Sequence, residues 1–171
     1  MSMGKSLSAI ALALMLGGAA SAADHPGLGK PVSEADLAAW DISVGPDGKG
    51  LPPGSGTPAQ GAAIFAQKCE ACHGKEGVGG SSAMLANPPG KNDRTMVLYV
   101  PNATTVFDFI RRAMPWPQPK SLSNDEVYAL TAYILARNKV IGENDTMNAE
   151  TLAKVQMPNR NGFVSRYPDK H

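Results

Sequence analysis

Cys69-Glu-Ala-Cys72-His73 sets the chain's two cysteines three residues apart with a histidine directly behind, and this group restricts the possible fold more than any other feature. The chain around it is poor material for a self-sufficient core. Of 171 residues, 18 are glycine and 14 are proline, and only 6% are aromatic. Such a backbone spends much of its length in turns and loops. The length suits one compact domain with appendages rather than two full domains. A loop-rich domain of this size needs a staple, and the cysteine and histidine group is the place to look for one.

Charge and the N-terminal segment narrow the setting. Sixteen Lys+Arg against fifteen Asp+Glu give a net charge of +1, which offers no global field for nucleic acid and leaves any steering local. Lys5 precedes an apolar run from Leu7 to Leu16 and a small-residue stretch from Gly17 to Ala23. That order reads as a secretory signal cleaved near residue 22 or 23. The apolar run is short for a bilayer core of ~30 Å, so no membrane span is expected in the mature form. Export to the periplasm would place the cysteines in an oxidising compartment, where a free pair normally becomes a disulfide.

Four segments are expected: a signal at 1–23, a loop-rich arm at 24–56, a central domain at 57–140 and a C-terminal extension at 141–171. In the arm, Ser33 can cap a short helical patch ending near Trp40, with acids at Glu34 and Asp36 favoured by the helix dipole. Gly45 to Gly56 can form only turns and extended chain. Thr57-Pro58 is a helix start, because threonine caps and proline fits the first helical position, and that helix runs to Cys69. Met96 to Val100 is an ordered piece within a loop-rich stretch. Thr104 or Thr105 is the expected cap of a short helix, Val106 to Arg112, that Pro115 must end. Ser123 and Glu126 have capping-box spacing, opening an amphipathic helix to about Asn138. Asn148 to Val155 is weakly helical.

Cys-x-x-Cys-His is the attachment signature of haem c. Two thiols at this spacing can add across the haem vinyl groups as thioethers, and the next residue then lies under the iron as proximal ligand. One covalent haem would also bring the buried apolar area that the chain lacks. A thioredoxin-like redox pair would want a strand before the motif, whereas here a helix precedes it. A zinc site would need a fourth ligand from His25, His171 or acids.

The sixth iron ligand is argued from position. Met114 follows a short helix and precedes Pro115, where an extended loop can present a thioether to the opposite haem face. Met84 lies close to the attachment site, Met96 sits in an apolar stretch suited to space filling, and His25 is a further alternative. Methionine ligation would make a closed electron carrier, and an open position would favour ligand exchange.

With these residues in hand, the chain resembles class I cytochromes c over roughly Thr57 to Asn138. Gly61 and Phe65 ahead of Cys69, and Leu130 and Tyr133 in the terminal helix, match the family's crossing-helix pair. The resemblance implies an all-α class I cytochrome c fold in which the N- and C-terminal helices cross over the covalently bound haem. It also implies a proline carbonyl accepting the histidine Nδ1 hydrogen bond, with Pro88 and Pro89 as candidates. A narrower resemblance rests on the stretches 40–56, 111–115, 125–133 and 157–159. These are similar to the cytochrome subunit of bacterial periplasmic sulfur dehydrogenase and to acceptor cytochromes of sulfite dehydrogenases. The implied partner is a molybdopterin sulfite or sulfur dehydrogenase subunit as electron donor, with a downstream cytochrome or oxidase as acceptor. The chain is then an electron-transfer protein or redox subunit and not an enzyme by itself. A general respiratory shuttle is the alternative within the same chemistry, and a haem enzyme or gas sensor with an exchangeable sixth ligand is the alternative outside it.

Three further residues are candidates near the haem. Arg111 and Arg112 precede the Met114 loop and could pair with a propionate, the plain alternative being a solvated helix face. Trp116, between two prolines, is a candidate for the haem edge or a docking surface. Lys68, Glu70 and Lys75 flank the attachment motif and could bias docking, although scattered surface charge is the default.

Overall fold

The computed structural model describes residues 29–88, 90–91 and 95–164. The expected signal segment, His25 and His171 lie outside the described residues. The chain divides into two compact units, Met1–Asp41 and Ile42–His171.

In the first unit, α1 (Glu34–Trp40) starts where its cap predicts, the Ser33 hydroxyl accepting the Asp36 N–H at 3.2 Å. Leu37 and Trp40, spaced for one face, are both exposed.

The second unit is helical apart from one two-residue pairing. Its elements in chain order are β1 (Ser55–Gly56), α2 (Pro58–Lys68), α3 (Glu70–His73), a 3-10 turn at Lys75–Gly77, α4 (Met96–Tyr99), α5 (Ala103–Ala113), α6 (Asn124–Arg137), β2 (Met147–Asn148) and α7 (Ala149–Leu152). β1 and β2 pair antiparallel, Ser55 opposite Asn148 and Gly56 opposite Met147.

Local chemistry sets the two long helices. Thr57 caps α2 and Pro58 opens it, and Gln60 completes a capping box by accepting the Thr57 N–H at 2.9 Å. Ser123 and Glu126 form the expected box at the start of α6, with the Ser123 N–H donating to Glu126 Oε2 at 2.8 Å. The helices then cross closely, because Gly61 presents no side chain: a Cβ there would collide with the Ala129 carbonyl and the Tyr133 side chain. Phe65 fills the space beside the crossing, its ring 5.2 Å from that of Tyr133. Behind it lie Phe107 and Tyr128, ring centroids 4.5 Å apart, with Leu130, Val127 and Leu135 buried around them.

α5 begins earlier than expected. Pro101 holds Val100 extended (φ −71, ψ 145), Asn102 takes the N-cap position, and the helix is under way at Ala103, leaving Thr104 buried within its first turn rather than capping it. Met114 ends α5 in an extended conformation, and the Met114-Pro115 peptide is cis.

Segments that read as appendages contribute to the packed unit. The Tyr128 hydroxyl donates to the Pro52 carbonyl at 2.8 Å, Asn124 Nδ2 donates to the Pro53 carbonyl at 3.2 Å, and the Ser55 N–H donates to Asp125 Oδ1 at 2.8 Å. These bonds lay residues 52–55 along the start of α6. From the other end, Met147, Leu152, Val155 and Met157 are buried in the core that contains Phe65 and Phe107. No helix among the described residues is long and apolar enough to cross a membrane.

Candidate functional site

The site is built where α2 stops. Cys69 closes that helix by donating its N–H to the Phe65 carbonyl at 2.9 Å, and α3 is the single turn that follows. Cys72 and His73 both donate to the Cys69 carbonyl, at 3.1 and 3.0 Å. The two sulfurs and the imidazole therefore leave one helical turn together. The chain must then reverse, which Gly74 allows with φ 80. Gly80 comes back against the turn so tightly that a Cβ would collide with the Cys72 carbonyl and the Gly74 N–H.

That reversal folds a loop over His73. The Ser82 N–H donates to the Cys72 carbonyl at 2.9 Å, and the Leu85 and Ala86 N–H groups both donate to the Gly77 carbonyl, at 3.0 and 3.2 Å. Between these ties, the Ala83 carbonyl lies 2.8 Å from His73 Nδ1. A carbonyl only accepts, so Nδ1 carries the proton and Nε2 keeps the lone pair that a metal ligand needs. The resemblance implied Pro88 or Pro89 for this role. The structure gives it to Ala83 instead, because the loop closes at Gly77 and brings Ala83 back over the ring before the chain reaches Pro88.

Both cysteines are free thiols, Cys69 half-buried and Cys72 exposed. Burial pushes the Cys69 thiol up to about 11, against the pull of Lys68 and with a smaller push from Cys72. Met114 is half-buried and packs, like Cys69 and Leu85, against the main core cluster. This donor set fits the haem c expected from the motif: two unbridged thiols three apart on one turn, an imidazole already oriented through Nδ1, and a thioether at the margin of the same core.

The flanking candidates have other engagements. Arg112 Nε meets both Asp108 carboxylate oxygens at 2.8 Å, an i,i+4 pair along α5. Arg111 Nη1 donates to the Ile42 carbonyl at 3.4 Å. Trp116 is 80% exposed, on a turn closed by the Gln118 N–H and the Pro115 carbonyl at 2.8 Å. Lys68 reaches Glu126 at 2.6 Å, tying the end of α2 to the start of α6. Arg137, in the last turn of α6, pairs with Glu76 at 2.7 Å and so holds the chain just beyond His73.

Two contributors escaped the sequence reading. The Ala83 carbonyl is a backbone group and carries no residue signal. Asn138 could have been noticed as an amide at a helix end, and its side chain donates to the Leu85 carbonyl at 2.7 Å.

Comparison with known proteins agrees with this geometry. The family described as "Cytochrome C oxidase, cbb3-type, subunit III" matches residues 56–134, which include α2, the Cys-x-x-Cys-His turn and α6 as far as Ile134. The photosystem II extrinsic protein V of Trichodesmium erythraeum (strain IMS101) is 30% identical over 105 residues, spanning 49% of this chain and 63% of that protein, less than two thirds of its length. A chain in the crystal structure of the sulfane dehydrogenase SoxCD from Paracoccus pantotrophus aligns with a TM-score of 0.73 at 37% identity, covering 85% of this chain and 73% of that one. With its Cys-x-x-Cys-His turn at the end of one of two crossing helices, the chain belongs to the cytochrome c family and is similar to a chain of the sulfane dehydrogenase SoxCD.

Proposed function

We propose that the protein is a periplasmic one-electron carrier holding one haem c through thioethers at Cys69 and Cys72, with His73 and Met114 as axial ligands. Its donor on this reading is a molybdenum sulfite or sulfur dehydrogenase, and its acceptor a downstream cytochrome or oxidase. The observation that carries the site is the His73 Nδ1 hydrogen bond to Ala83, made within one turn of two free thiols.

Haem, when bound, supplies the reversible one-electron chemistry of its iron; the polypeptide supplies attachment, orientation and burial. Cys69 and Cys72 fix position and prevent loss of the group. The Ala83 carbonyl draws on the Nδ1 proton, which holds the ring in one tautomer and makes Nε2 a better donor, favouring the oxidised iron. Met114 works in the opposite sense, since a thioether ligand raises the potential. Arg111 and Arg112 are proposed to lie toward the propionates and Trp116 toward the exposed haem edge.

The donor assignment draws on the 37% identity to a chain of a sulfane dehydrogenase. The family match to an oxidase subunit favours a second reading, a respiratory shuttle working with a terminal oxidase. Mixing the oxidised holoprotein with a molybdenum sulfur dehydrogenase and its substrate separates the two. Rapid reduction supports the first reading. Reduction only by a quinol-oxidising complex overturns it.

A further inference from the structure

Asn138 lies at the end of α6, far in sequence from the attachment motif, yet its side chain joins three parts of the molecule. Nδ2 donates to the Leu85 carbonyl at 2.7 Å and to the Ile134 carbonyl at 2.8 Å, while Oδ1 accepts the Thr95 hydroxyl at 3.3 Å. Thr95 is only 2% exposed and its hydroxyl also caps α4 by accepting the Leu98 N–H at 3.2 Å. Both amide N–H donors and one lone pair of Oδ1 thus have partners, and an asparagine, two donors and an acceptor on a short stem, meets all three.

The tie to Leu85 matters for its position. Leu85 is two residues beyond Ala83, and its own N–H closes the loop on Gly77. One residue before Asn138, Arg137 pairs with Glu76 at 2.7 Å, on the near side of that same loop. The last turn of α6 therefore grips the loop at both ends, and the Ala83 carbonyl that orients His73 is suspended between the two grips.

We propose that Asn138 is a positioning residue for the iron ligand: by fixing Leu85 against α6 and Thr95, it holds the Ala83 carbonyl at hydrogen-bonding distance from His73 Nδ1 and so sets the orientation of the imidazole and how strongly Nε2 donates to iron. This rests on His73 being an axial ligand of a bound haem. A loosened loop weakens the bond to Nδ1, leaves the imidazole a poorer donor, and destabilises oxidised relative to reduced iron. The potential should rise.

The test compares wild-type holoprotein with Asn138→Ala, Asn138→Asp and the milder Thr95→Val. Leu152→Ala, a core truncation in α7, serves as a stability control. Haem content is measured first on every sample, followed by midpoint potential and the exchange rate of the His73 Nδ1 proton by NMR. The expected result is a shift to higher potential with faster Nδ1 exchange in the Asn138 variants, a smaller shift of the same sign in Thr95→Val, and neither change in Leu152→Ala. Full haem content with potential and exchange unmoved in all Asn138 and Thr95 variants overturns the inference and leaves the haem reading standing. Equal shifts in Leu152→Ala also overturn it, since general loosening would then suffice. Wild-type protein without haem overturns both together.

Discussion

Gly61 lies directly against the Ala129 carbonyl, with no room for a Cβ between them. This contact lets α2 and α6 cross closely enough for Phe65 and Tyr133 to meet at 5.2 Å, and it stands eight residues ahead of Cys69. Gly61→Val should therefore separate the helices at the point from which Cys69 is aimed. Overpacking of this kind costs about 1–3 kcal/mol. Chemical denaturation of the holoprotein should show that loss, and an unchanged midpoint would mean the crossing is not a tight one.

Phe107 is fully buried, its ring tilted against that of Tyr128 at 4.5 Å, and Tyr128 in turn holds the Pro52 carbonyl. Phe107→Ala should cost about 3–5 kcal/mol. Limited proteolysis should also find residues 52–55 cut more readily, because the ring that anchors them loses its backing.

The Lys68 ammonium, and after it the Ser123 N–H, hold the Glu126 carboxyl below the usual carboxylate range. A depressed folded-state value means that the stabilisation is complete above the unfolded carboxyl value, about 4.3, and is lost as pH falls through the folded one. The pair lies at the surface, 38% and 27% exposed, and is screened by solvent, so Glu126→Gln should cost less than about 1 kcal/mol at neutral pH. Urea denaturation across the acid range should show the gap between wild type and variant closing below about pH 4. A gap that widens toward acid would contradict the assignment.

How much of this could be read from sequence depended on the range of each interaction. Thr57-Pro58 and the Ser123 and Glu126 pair announce their helices because capping is decided within four residues. The turn bearing Cys69, Cys72 and His73 was legible for the same reason. Gly61 and Phe65 were legible only through their match to a family pattern, since their partners lie about seventy residues away. The Ala83 carbonyl was not legible at all: any residue has a carbonyl, and only the closure of the loop on Gly77 selects this one. Met147, Leu152 and Met157 looked like tail residues because their sparse apolar pattern gains meaning only from the long-range core they enter.

Met114 bears on the proposed carrier role. Met114→Ala should convert a low-spin, six-coordinate spectrum to a high-spin or differently ligated one and admit cyanide or carbon monoxide quickly. Visible absorption with a ligand-binding time course checks this, and an unaltered spectrum would remove Met114 from the iron.

The most direct measurement is the intact mass of mature protein from a host that assembles c-type cytochromes, read with its pyridine haemochrome spectrum. The account predicts polypeptide plus one haem, resistant to acid extraction, and loss of that added mass when Cys69 and Cys72 are both changed to serine. A mass equal to the polypeptide alone, or a Cys69 to Cys72 disulfide in place of the thioethers, would contradict it.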